Sequence, residues 1–69
     1  MMVFAWARGG HGRLIETNGD LVSVQSSLAC APGTPLEGEL EGVTYRIKVR
    51  SCRKQGDEAA LPFRIEGRF

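Results

Sequence analysis

Residues Gly12 to Thr34, GRLIETNGDLVSVQSSLACAPGT, decide the fold of this chain. They read as strand, Asn18-Gly19 turn, strand, loop and a Pro32-Gly33 corner. An Asn-Gly pair between alternating segments marks a tight hairpin, because both central residues of such a turn need positive φ and these two tolerate it best. Centring the turn on Asn18-Gly19 sets Thr17 opposite Asp20, Ile15 opposite Val22 and Arg13 opposite Val24. Ile15, Val22 and Val24 then form the core face, with Leu14, Glu16, Leu21 and Ser23 outside.

Outward from this hairpin, glycine or proline recurs too often for any long helix. Between the breakers lie short segments of two-residue alternation, near 12–17, 20–27, 36–41, 43–53 and 62–69, the signature of antiparallel strands. A turn at Glu41-Gly42 pairs Leu40 with Val43, Gly38 with Tyr45 and Leu36 with Ile47 on an apolar face. On the polar face it opposes Glu39 to Thr44 and Glu37 to Arg46, so an acidic strand (Glu37, Glu39, Glu41) neutralises a basic one (Arg46, Lys48, Arg50). Only Arg50, Arg53 and Lys54 at the strand's end are then left to meet an anion. The closing segment alternates Phe63, Ile65, Gly67 and Phe69 with Arg64, Glu66 and Arg68, so Phe63, Ile65 and Phe69 are expected in the core. A polar loop at Gln55 to Glu58 precedes it. The fold class expected is all-β, a small antiparallel barrel of five or six strands without a C-terminal helix.

At 69 residues the chain is one domain, with residues 1–11 as an N-terminal arm or short strand. Its formal net charge of +1 gives no global pull toward nucleic acid or an anionic membrane. The apolar MMVFAWA is far shorter than the roughly 20 residues of a membrane span, so no membrane insertion is expected. Phe4 and Trp6 either cover one side of the barrel or dock a partner, since aromatic side chains dominate interfaces when exposed. Cys30, in a loop, and Cys52, on the charged side of its strand, read as reduced thiols of a cytoplasmic protein. With the lone His11 they make no metal-ligand spacing. No nucleophile with a base and no paired carboxylates are legible, so an enzyme is not expected and no catalytic residue or cofactor is assigned.

Residues 12 to 69 resemble a PilZ domain in strand order, in the Pro32-Gly33 corner and in the IEGRF ending. PilZ domains bind cyclic di-GMP through an Arg-x-x-x-Arg arm and an Asp-x-Ser-x-x-Gly turn. Here the arm offers Arg8 and Arg13 at a longer spacing, and Glu16, Asn18 and Leu21 stand at the turn motif's Asp, Ser and Gly. Leu21 fills space through which the ligand would approach backbone. The resemblance therefore implies a minimal, degenerate PilZ barrel that has lost nucleotide binding.

The function expected is a non-catalytic regulatory adaptor, docking a protein partner of a larger regulatory or motility assembly. Phe4, Trp6, Leu14 and Leu21 are its candidate apolar patch. The alternative is a cyclic di-GMP sensor using Arg8, Arg13, Glu16 and Asn18. A nucleic-acid-binding barrel ranks last, because Tyr45 is the one aromatic beside the basic strand and it falls on the apolar face. A homodimer through an uncovered edge or the Leu14 and Leu21 face is compatible with the sequence.

Overall fold

The computed structural model describes residues 2–55 and 60–69, so the Gly56 to Glu58 part of the expected polar loop lies outside the described residues. Six strands, β1 (Val3–Trp6), β2 (His11–Asn18), β3 (Leu21–Ser26), β4 (Pro35–Leu40), β5 (Val43–Lys54) and β6 (Phe63–Arg68), close into an antiparallel barrel in the order β1-β2-β3-β6-β5-β4. Closure removes the open edges through which strands otherwise aggregate. No helix among the described residues is long and apolar enough to cross a membrane.

The N-terminal segment is a barrel strand. Phe4 pairs with Gly12 on β2, and Trp6 pairs with Gly38 on β4, so β1 closes the cylinder. Phe4 and Trp6 point inward, almost wholly buried, and their rings stack at 5.1 Å. Two glycines make room for the indole: a Cβ at Gly12 or at Gly38 would run into the Trp6 ring. The indole N–H is satisfied by the buried hydroxyl of Ser26, which also accepts from the Leu28 amide at 2.9 Å. Around this pair Val22, Val24, Leu36, Leu40, Ile47, Val49 and Ile65 complete the core.

The β4–β5 hairpin follows the expected register pair for pair, from Leu36 with Ile47 to Leu40 with Val43. Glu41 and Gly42 take φ of 51° and 81°, the two positive values that match the twist of such a hairpin. Arg46 and Glu37 meet at 3.4 Å on its outer face.

The β2–β3 hairpin departs from expectation. Its turn is centred on Gly19 and Asp20, so Asn18 pairs with Leu21 and Thr17 with Val22. Gly19 alone carries positive φ there, at 61°, and a glycine in the first central position suffices for this turn. A bulge between Leu14 and Glu16 then inserts Ile15 as an extra residue. Leu14 consequently packs against the core, while Ile15, expected inside, is 40% exposed. The same physics acts on β5, where a bulge between Val49 and Ser51 changes the alternation. Cys52, expected on the charged side, pairs with Ile65 and packs against the core. Cys30, expected in an open loop, is buried in the core, and Phe69, expected there, is 46% exposed at the barrel end against Tyr45. Phe63 is only half-buried.

Candidate functional site

Each bulge sends one more side chain outward than regular alternation allows, and both open on the same face of the barrel. A bulge re-aims the residues beside it and bends its strand, which is why bulges recur next to binding sites. On β2, Leu14 points in while Glu16 and Asn18 lie outside, opposite Ser23 and Leu21 of β3. On β5, Val49 points in while Arg50 and Ser51 both reach the outer surface. Between these walls lies a groove of about 430 Å³, floored by Val22, Ser23, Glu66 and Gly67 and overlooked by Leu21. Gly67 lets β6 approach β5 closely, because a Cβ there would collide with the Lys48 carbonyl.

The floor is organised around the Glu66 carboxylate. Ser51 Oγ donates to its Oε1 at 3.4 Å, Ser23 Oγ donates to its Oε2 at 3.5 Å, and Arg64 Nε lies 3.7 Å from that same Oε2. On either side of that row the β5–β6 register sets like charges directly opposite each other, Lys48 against Arg68 and Arg53 against Arg64. Such pairs destabilise a sheet rather than support it. Among the described residues Lys48, Arg50, Arg53 and Arg68 make no ion pair. The expected neutralisation by the acidic strand therefore stops at Arg46: Lys48 faces Pro35, the first residue of β4, and Arg50 lies beyond it. β6 adds Arg64 and Arg68 to the cations that sequence reading left at the end of β5. The alternation of FRIEGR put these two on an outer face, but nothing in it told which strand they stand beside.

Glu16, Asn18 and Leu21, the three aligned with the PilZ turn motif, all line the groove. Arg8 and Arg13 do not. Arg13 is on β2, its guanidinium donating to Gln25 Oε1. Arg8 sits in the turn before β2, at the opposite end of that eight-residue strand from Asn18, with its guanidinium beside the Cys30 thiol. The apolar patch of Phe4, Trp6, Leu14 and Leu21 does not form: the first two are core, Leu14 packs on the core, and only Leu21 is exposed, at 40%. Burial pushes the Cys30 thiol pKa up, against the lowering effect of Arg8.

Among the described residues no three of His, Cys, Asp and Glu gather as metal ligands. The arrangement is suited to recognition, with hydrogen-bonding groups of both signs around one exposed leucine. No protein-family model, curated protein or solved structure matches the chain.

Proposed function

We propose that this chain is a non-catalytic recognition module of PilZ type that acts as an adaptor, binding a protein partner along the groove between the two bulges. The observation that carries the reading is the coincidence of the bulges on one face, which places Glu16 and Asn18 on one wall and Arg50 and Ser51 on the other. Walls of mixed charge around Leu21 suit a polypeptide segment, which offers donors, acceptors and an apolar side chain together. Charges placed this way fix the register of a partner and raise its association rate more than they raise affinity.

A photo-crosslinking residue at position 21, introduced in the full chain in its host cell, tests the reading. A discrete protein adduct is expected from position 21 and none from position 44, on the outer face of the β4–β5 hairpin. Arg50→Glu should abolish the adduct while leaving the barrel folded. Adducts indifferent to that substitution would contradict the groove as the docking surface.

A second reading is supported by one observation: the positions aligned with the family's turn motif share the groove with an arginine, Arg50. In that reading Arg50, rather than Arg8 or Arg13, is the cation nearest a bound cyclic dinucleotide. The distance along β2 between Arg8 and Asn18 weighs against a single ligand engaging both the arm and the turn.

A further inference from the structure

Next to the groove, and sharing only Ser51 and Glu66 with it, lies a smaller hollow of about 200 Å³ lined by Ser51, Arg53, Gln55, Arg64 and Glu66. We propose that this hollow is a phosphomonoester-binding site. Arg53 and Arg64 stand directly opposite each other on β5 and β6 and both line it. Directly opposed residues of an antiparallel pair have Cβ atoms only about 4.5–5.5 Å apart, so both guanidinium groups can reach one anion. Without such an anion the pair is a like-charge contact that costs the sheet stability.

The donor set favours phosphate over a carboxylate. Two planar guanidinium forks present paired N–H groups to a tetrahedral dianion, and each fork matches two of its oxygens. The Gln55 amide supplies an uncharged donor at the same hollow, and the Ser51 hydroxyl joins it by turning its proton from Glu66 to the anion. Glu66 approaches Arg64 on its Nε side, at 3.7 Å, and Arg53 has no ion-pair partner among the described residues. The Glu66 carboxylate, which lines the same hollow, also sets selectivity: it repels a weakly held anion, so only a group that engages both arginines overcomes it. The β5 bulge is part of the construction. It is the extra residue Arg50 that brings Ser51 to the outer face, in line with Arg53.

The test uses the isotope-labelled full chain titrated with inorganic phosphate, against sodium chloride at matched ionic strength and pH 7.5. Saturable amide shifts at Ser51, Arg53, Gln55 and Arg64 are expected with phosphate alone. Arg53→Gln should weaken binding at least tenfold with the spectrum still dispersed. Arg53→Lys should fail to restore it, because a point charge lacks the fork, and Glu66→Gln should tighten it severalfold. Chloride reproducing the shifts, or Arg53→Gln leaving the affinity unchanged, would overturn the site. Glycerol phosphate and a phosphoserine peptide then separate the sources: tighter binding of the peptide assigns a modified protein, and equal binding assigns a free phosphomonoester. A dinucleotide phosphodiester that bound as tightly as either would overturn the monoester assignment. Failure here leaves crosslinking at Leu21 untouched, so the two proposals fail separately.

Discussion

The indole N–H of Trp6 donates a 2.9 Å hydrogen bond to the hydroxyl of Ser26, which is itself wholly buried. This contact ties β1 to β3 through the interior and makes the N-terminal strand part of the core. A single core in a chain of this size supplies about 3–5 kcal/mol, and truncating a buried Trp removes about as much. Trp6→Ala is therefore expected to unfold the domain, seen as collapse of amide dispersion. Ser26→Ala should cost about 1–3 kcal/mol by urea unfolding, since it strands the indole donor in the interior.

Gly12 and Gly38 hold the slot for that indole, so a methyl at either position tests the packing directly. Gly12→Ala and Gly38→Ala should each cost about 1–3 kcal/mol or more by overpacking. Gly42→Ala meets no atom within 4 Å, and its cost, about 1–2 kcal/mol, comes from its φ of 81° alone. The Trp6 emission maximum should move in the first two variants and stay in the third. An unmoved emission in Gly12→Ala would show that the slot is loose.

The register of β2 yields a reversal of the expectation drawn from sequence. Leu14→Ala should destabilise by about 1–2 kcal/mol, as fits a half-buried side chain packed on the core. Ile15→Thr, at the bulge, should change stability by less than about 0.5 kcal/mol. Urea midpoints of the two variants decide it, and the opposite order would restore a hairpin without the bulge.

These two hairpins show what was legible in the residues. Glu41-Gly42 fixed its register because alternation on both flanking strands agreed with the only turn available, so Leu36, Gly38, Leu40 and Ile47 fell inside as expected. Asn18-Gly19-Asp20 offers two adjacent turns. The choice between them moves the pairing by two residues and leaves the faces as they were; the bulge that follows is what exchanges the faces of Leu14 and Ile15. Bulges leave no mark in composition, and the site depends on two of them. Glu16 and Asn18 were found by resemblance to a motif, and Arg50 and Arg53 by charge. The cations Arg64 and Arg68 were readable as outward-facing, but their place beside Arg53 and Lys48 needed the β5–β6 pairing, which no turn signal between the two segments announces. The burial of Cys30 had no signal, because loop residues carry no periodicity.

Arg46 and Glu37 form an exposed cross-strand pair at 3.4 Å. Arg46→Glu should cost about 0.2–1 kcal/mol, and the loss should shrink in 1 M salt, where screening acts over about 3 Å. Equal loss at low and high salt would assign the effect to packing of the arginine stem instead.

Cys30 links stability to alkaline pH. Burial raises its pKa above the ordinary thiol value of 9.0, so the unfolded chain releases the proton first as pH rises. Its contribution is fully present below that value and is lost progressively as pH climbs toward the folded-state pKa. Urea unfolding between pH 8 and pH 10.5 should show a steeper fall for the parent chain than for Cys30→Ala. Parallel curves would mean that the thiol ionises as readily in the barrel as outside it.

Whether the groove takes a protein or a cyclic dinucleotide is decided by titrating the isotope-labelled chain with cyclic di-GMP at moderate salt. The amides from Arg8 to Leu21, with those of Arg50, Ser51 and Glu66, report the outcome. No saturable shift up to millimolar ligand is expected. Saturable shifts confined to Glu16, Asn18, Leu21 and Arg50 would rule out the protein-docking groove and make the barrel a nucleotide sensor.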